Sequence, residues 1–318
     1  MIITHDNPDG DAIGSSLGLY QFFCREGHNV NVVTPNMYPE FLHWLPGNEK
    51  VIIFSEQKDY AVKLIKEAEI IFNLDFNEFN RIRKIEPYVK KVKAVKVLID
   101  HHPVKESFAD YIISDISVSS TAELIFKFII NLGKKNCIDK SIAECLFTGI
   151  MADTGCFSFN SSQEDTFRIV SELLTYGIEK DKIYRNLYDN FSEDRMKLLG
   201  YCLNKKMVVI PDYRTAYLSL TKDELKQYNF KIGDTEGFVN FPLSIKDIIF
   251  SALFIEKTNH VKISFRSKGT FKVNKFSENN FNGGGHKNAA GGESNLNLEK
   301  TINKFIDLLP EYIKYLKE

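Results

Sequence analysis

Three short runs of aliphatic residues in the first hundred positions lead into histidine or aspartate. "MIIT" (1–4) leads to His5, Asp9 and Asp11, "EIIFNL" (69–74) runs directly into Asp75, and "AVKVLI" (94–99) directly into Asp100, His101 and His102. A fourth run, "NVNVVT" (29–34), lies among them, and the segments 11–27, 56–68 and 78–92 between these runs carry apolar spacings near 3.6. Strands alternating with helices in this way build a parallel, doubly wound sheet. Such sheets place chemistry just beyond the carboxyl ends of their strands. The alternation therefore predicts that three imidazole- and carboxylate-bearing ends meet at one rim. Asp153, in "GIMADTG", would add a fourth wall from the end of a helix.

From about residue 118 the pattern becomes mainly helical. "VSSTAELIFKFIINLG" offers Ser119, Ser120 and Thr121 as caps, and the helices at 139–155 and 162–177 follow. A second alternation begins near Met207, with strands in "MVVI", "TAYLSLT", "IIFSALFIEK" and "HVKISFRSKG". Helices are expected at 222–229 and around "GFVNFPLSI", and a closing one from about 297. The expected organisation is an α/β catalytic domain over 1–186, a helical linker over 187–206 and a smaller α/β domain over 207–318. At 318 residues the chain is long enough for two cores.

Composition excludes several classes of function. A net charge of -1 gives no basic field to hold long DNA or RNA, so any nucleic-acid substrate is expected to be short. The five cysteines are scattered without a CxxC pair, which suits a reducing cytosol better than a zinc ribbon or disulfide framework. No run of about 18 apolar residues exists to span a membrane. "MIITH" lacks the features of an export signal, so a cytoplasmic location is expected.

Imidazole and carboxylate without thiolate suit Mn²⁺ or Mg²⁺, with Zn²⁺ less favoured. Two histidines and four aspartates exceed one ion's usual protein ligand set. They suffice for two ions about 3.5–4 Å apart sharing a carboxylate, an arrangement used for phosphoryl hydrolysis. Each piece alone has a plainer explanation. "DNPDGD" could simply cap a helix, and as an EF-hand loop it would put His5 at position one and Ser16 at position twelve, both wrong. Asp75 could be a turn residue, and "DHH" a buried pair bonded to backbone. The conjunction of four such coincidences favours a metal site.

These residues resemble the DHH phosphoesterase superfamily. "HDNPDGDAIGSS", "NLDFNEFNRI", "LIDHHP" and "LFTGIMADTGCFSF" look like its four motifs in order, and "ISFRSKG" with "NGGGHKNAAGG" looks like a DHHA1 domain. The stand-alone bacterial NrnA-like type is the best match. The resemblance implies one ion on His5, Asp9 and Asp75, and a second on Asp11, Asp75, His101 and Asp153. Asp100 would orient a neighbouring histidine, and His102 would contact the scissile phosphate or assist the leaving group. Arg81 would contact phosphate. Family members usually carry a helix before the first strand, and this chain opens on "MIIT", as it would if a short upstream segment preceded it.

In "HVKISFRSKG" alternation puts Val261, Ile263 and Phe265 on one face and Arg266 on the other. Arg266 with Gly283, Gly284, Gly285 and His286 is expected to clamp a terminal phosphate, the linker letting the domains close on it. The expected activity is hydrolysis of short oligoribonucleotides or linear dinucleotides (pApA or pGpG type) to 5′-mononucleotides. 3′-Phosphoadenosine 5′-phosphate (pAp) phosphatase or cyclic di-AMP phosphodiesterase activity would accompany it. The partners are then a short RNA or nucleotide, with no long nucleic acid and no membrane, and a homodimer is open. Rival readings are a RecJ-like exonuclease, a pyrophosphatase of the same superfamily, and a non-catalytic cyclic-dinucleotide sensor.

Overall fold

The computed structural model describes residues 1–104 and 106–317. It divides into two compact units, Met1–Asn190 and Phe191–Glu318. The first is built on six parallel strands: β1 (Ile2–Ile3), β2 (Val32–Thr34), β3 (Val51–Ile53), β4 (Ile70–Leu74), β5 (Val95–Asp100) and β6 (Tyr111–Ser114). Their order across the sheet is β3-β2-β1-β4-β5-β6. The doubly wound parallel sheet expected from the alternation is present, and β1, β4 and β5 are adjacent at its centre.

The helices of this unit are α1 (Gly10–Arg25), α2 (Lys58–Glu67), α3 (Glu86–Lys91), α4 (Thr121–Asn131), α5 (Lys140–Asp153), α6 (Glu164–Leu174) and α7 (Lys180–Tyr188). Strand side chains alternate between two apolar layers. Ile2, Val32, Leu74 and Ile99 pack with Ile13 and Leu17 of α1, Ile125 of α4 and Leu146 of α5. Ile3, Val33, Ile52 and Ile71 pack with Ala61 and Ile65 of α2 and Val89 of α3. With both faces covered, strands read as continuous apolar runs. Two short strands, β3 and β6, escape the sequence reading because three or four residues give too little pattern. The segment expected to be one helix over 78–92 is a 3₁₀ turn at Phe79–Ile85 before α3.

The second unit opens with α8 (Glu193–Tyr201), followed by β7 (Val208–Ile210), β8 (Thr215–Leu220), α9 (Lys222–Gln227), β9 (Phe250–Glu256) and β10 (Val261–Ser267). Then come α10 (Val273–Asn280), β11 (Gly284–His286), β12 (Ala289–Ser294), α11 (Leu298–Leu308) and α12 (Ile313–Lys317). The mixed sheet runs β11-β12-β10-β9-β8-β7, with only β8 and β9 parallel. One face packs Phe250, Phe254 and Phe265 on Phe276 and Phe305. The other packs Leu218, Leu220 and Leu253 on Leu198 and Cys202, so the expected connector residues 193–202 form part of this unit's core. Phe238–Ser244, read as a helix, is a 3₁₀ segment carrying Pro242.

Candidate metal centre

Because β1, β4 and β5 are neighbours, their carboxyl ends deliver His5, Asp75 and Asp100-His101-His102 side by side. Asp9 caps α1, its Oδ1 accepting from the N–H groups of Asp11 (3.1 Å) and Ala12 (3.0 Å). That leaves Oδ2 facing His5 Nε2 at 4.0 Å, so the capping residue and the candidate ligand are one carboxylate using different oxygens. Asp11 follows in the first turn and is buried. Asp153 ends α5.

The close packing of α5 on α1 brings Asp153 to the others. A Cβ built on Gly14 would lie 2.5 Å from the Cys145 carbonyl oxygen and 2.8 Å from the Gly149 nitrogen. One built on Gly149 would lie 2.9 Å from Asp11 Oδ1. Only glycine permits this approach. The cap and aspartates of "GDAIGSSLG" are legible in the sequence, whereas the i, i+4 spacing of Gly10, Gly14 and Gly18 gains its meaning only from the α5-facing side it lines.

Among the described residues of the first unit, donor atoms gather into three clusters: His5, Asp9 and Asp75; Asp11, His101 and Asp153; and Asp75, Asp100 and His102. Asp75 joins two of them through different oxygens. Its Oδ2 lies 3.4 Å from His5 Nε2, and its Oδ1 lies 3.5 Å from His101 Nε2 and 3.6 Å from His102 Nδ1. His101 Nε2 is also 3.6 Å from Asp153 Oδ2 and 3.8 Å from Asp11 Oδ2. These separations exceed good hydrogen bonds. Adjacent ligands of one ion, on bonds of about 2.1 Å, sit roughly 3.0–3.4 Å apart, so small adjustments would bring the donors onto a cation. The exception is His102 Nδ1, which hydrogen-bonds Asp100 Oδ1 at 2.7 Å. Asp75 adopts a left-handed backbone (φ 65°), a conformation that Asp and Asn tolerate better than most residues and that concentrates at functional sites.

The electrostatics fit a site made for cations. Burial opposes ionisation of Asp75, but the imidazoles of His101 and His5, with His102, outweigh it and hold the carboxyl well below the usual range. Burial, then the charge of Asp75, push Asp11 well above its ordinary value. Asp153 is pushed up to about 6, first by burial although 24% of its side chain reaches solvent, with His101 pulling the other way. Burial likewise opposes protonation of His101 and His5. Asp153, Asp75 and Asp11 raise His101 well above its usual value, and Asp75 with Asp9 raises His5 despite Arg81 nearby. The buried carboxylates thus favour positive charge among them, which a divalent cation would supply.

Arg81 is partly buried. Its carbonyl accepts from the Asp6 N–H at 2.7 Å, tying the second motif to the first. In the second unit the expected alternation of β10 holds: Val261, Ile263 and Phe265 are buried, and Arg266 is on the opposite face. Ala289 pairs with Arg266 on one side and with His286 on the other. Arg266 and His286 therefore share a face of the sheet, about two strand spacings (~10 Å) apart with Ala289 on the strand between them. Rather than forming an open turn, Gly284 and Gly285 open the hairpin strand β11, and Gly283 immediately precedes it. A Cβ on Gly283 would meet the Gly291 carbonyl oxygen at 1.9 Å, so backbone packing demands glycine there.

One contributor was read only as a helix cap. Thr121 donates its hydroxyl to Asp75 Oδ1 (3.0 Å) and its N–H to Asp11 Oδ2 (2.6 Å), while the Ala122 N–H donates to Asp11 Oδ1 (2.8 Å). Its signal, "SSTAE", marked the start of α4 but not what that start touches.

The chain matches the DHH family, N-terminal domain, over residues 1–150 and the DHHA1 domain over residues 215–315. It is 45% identical to an exopolyphosphatase-related protein of Bacteroides fragilis, with a TM-score of 0.94 over 100% of this chain and 93% of that one. It is 29% identical to a probable bifunctional oligoribonuclease and PAP phosphatase NrnA of Streptococcus mutans, over 92% of this chain and 89% of the relative. Identity to the bifunctional oligoribonuclease and PAP phosphatase NrnA of Bacillus subtilis is 28%, over 90% and 86%. With both domains present in order, the chain belongs to the DHH family of phosphoesterases, in the form that joins a DHH domain to a DHHA1 domain.

Proposed function

We propose that this protein is a metal-dependent phosphoesterase that hydrolyses short oligoribonucleotides or linear dinucleotides of the pApA or pGpG type to 5′-mononucleotides. Removal of the 3′-phosphate of pAp and cleavage of cyclic di-AMP are further activities of the same site. The observation that carries the reading is Asp75, buried at the end of β4 with one oxygen toward His5 and the other toward His101. Relatives of nearly the same length, named for oligoribonuclease and PAP phosphatase activity, support the substrate class. The net charge of -1 supports short substrates over long strands.

His5, Asp9 and Asp75 would hold one divalent cation, and Asp11, Asp75, His101 and Asp153 a second, Mn²⁺ or Mg²⁺ being favoured by the oxygen and imidazole donors. Bound there, such ions supply neutralisation of phosphate charge and a water acidic enough to act as nucleophile near neutral pH. Asp100 fixes the ring of His102 through Nδ1, and Nε2 would then deliver a proton to the leaving oxygen. Arg81 would contact phosphate beside His5. Arg266 and His286, with the glycine run 283–285, would hold a terminal phosphate and restrict action to chain ends.

Assaying pApA, pGpG, pAp, cyclic di-AMP, pyrophosphate and polyphosphate side by side with Mn²⁺ tests the reading. Polyphosphate is included because of the Bacteroides relative's name. Release of 5′-AMP from pApA is the expected result. Binding without turnover on every substrate would favour a sensor and overturn it.

A further inference from the structure

The first turn of α4 is fastened more firmly than a helix end requires. Ser120 caps it by accepting from the Glu123 N–H at 3.1 Å. The Glu123 carboxylate, itself buried, accepts from the N–H (3.1 Å) and hydroxyl (2.9 Å) of Ser119 and from the Thr166 hydroxyl (3.0 Å). Lys127 completes the set at 3.0 Å. A single rigid turn results, anchored to α6 through Thr166.

This turn touches two different candidate ligands. Both oxygens of Asp11 accept backbone N–H groups, from Thr121 at 2.6 Å and Ala122 at 2.8 Å. Asp75 Oδ1 accepts the Thr121 hydroxyl at 3.0 Å. Thr121 thus binds the carboxylate at the end of β4 and the one at the start of α1, which are 64 residues apart in sequence. A carboxylate oxygen has two in-plane lone-pair directions. Committing one on Asp75 Oδ1 to Thr121 leaves the other free of Thr121, with His101 Nε2 and His102 Nδ1 at 3.5 and 3.6 Å from the oxygen. Asp11 is similarly locked in rotation, so its remaining acceptor capacity points toward His101.

We propose that Thr121 is a positioning residue of the metal centre. Its hydroxyl and N–H together set the orientation of Asp75 and Asp11, so that both carboxylates are aligned before any cation arrives. The inference rests on the phosphoesterase reading above, since it assigns Asp75 and Asp11 as ligands. Outer partners of metal ligands commonly change affinity about 10–100-fold when lost. Thr121→Ser and Thr121→Ala both remove the methyl group, and they differ from each other only in the hydroxyl. Ser120→Ala weakens the helix cap without touching either carboxylate.

Mn²⁺ titration of the chelator-treated full-length protein by calorimetry, with thermal unfolding in parallel, separates these roles. Thr121→Ser is expected to bind Mn²⁺ as the wild type does, and Thr121→Ala about tenfold or more weakly. Ser120→Ala is expected to unfold at lower temperature with its Mn²⁺ affinity unchanged. Equal affinity in Thr121→Ser and Thr121→Ala would overturn the positioning role while leaving the metal reading intact. If Ser120→Ala weakened Mn²⁺ binding as much as Thr121→Ala, helix stability rather than hydroxyl orientation would be the cause, and the proposal would fall. A wild-type protein that binds no Mn²⁺ would remove both readings together.

Discussion

Gly149 tests whether the centre depends on how closely α5 approaches α1 and α4. A Cβ at this position would stand 2.6 Å from Ala122 Cβ and 2.9 Å from Asp11 Oδ1. Restoring an ordinary contact of 3.4 Å requires shifts of about 0.8 Å and 0.5 Å respectively. Neither neighbour is a flexible chain end: Ala122 lies in the first turn of α4, and Asp11 is held by two backbone N–H groups. Alanine in a helix interior gains about 1 kcal/mol over glycine, while overpacking a tight core costs about 1–3 kcal/mol. Gly149→Ala is therefore expected to be neutral to about 2 kcal/mol destabilised, still folded at 25 °C. The displacement falls on Asp11 directly and, one turn further along α5, on Asp153. A misplacement of this size in a catalytic centre can cost on the order of 100-fold. Thermal unfolding and Mn²⁺-dependent hydrolysis of pApA measure the two effects separately. A variant that is about 1 kcal/mol more stable than wild type and fully active would refute the packing argument.

Other substitutions probe single contacts. Asp75→Asn retains a side chain that accepts the left-handed backbone, so circular dichroism is expected to show an intact fold. Its hydrolysis should fall by more than the roughly 10–100-fold that loss of an outer partner costs, and full activity would exclude the bridging role. Asp153, at about 6 in the folded protein against an ordinary 3.8, binds its proton more tightly folded than unfolded. Its contribution to stability is therefore lost as pH rises from about 4 to 6, worth at most about 3 kcal/mol. Without metal, Asp153→Asn should be more stable than wild type at pH 7 and level with it near pH 4. A stability gap that did not change with pH would contradict the assignment. Arg266→Ala should raise KM for substrates with a terminal phosphate about tenfold and alter kcat less, as expected for loss of uniform binding. An unchanged KM would remove Arg266 from the clamp.

Much of this arrangement was legible in the sequence because ligand chemistry and strand ends coincide. "EIIFNLD" and "AVKVLIDHH" announce buried parallel strands by their aliphatic runs, and the residues that break each run form the candidate site. The partners of those residues were less visible. Thr121 reads as a helix cap, and nothing local reveals that its hydroxyl reaches Asp75, 46 positions earlier. The glycines of α1 look like poor helix formers until α5 is packed against them. Short edge strands such as β6 carry too few residues for periodicity to register. "NGGGHKNAAGG" reads as a turn because glycine runs usually are, whereas here the tightness of the β11–β12 hairpin and of its packing on α10 requires glycine at 283, 285 and 292.

Central to the proposed function is that divalent cations held around Asp75 would equip this chain for phosphoester hydrolysis. Its most direct test is to strip the protein with a chelator and titrate Mn²⁺ back while following 5′-AMP release from pApA. The stripped protein is expected to show no turnover, recovery is expected to saturate at two Mn²⁺ per chain, and Asp75→Asn is expected not to recover. Turnover that survives chelation, or two bound Mn²⁺ without hydrolysis of any phosphoester, would contradict it.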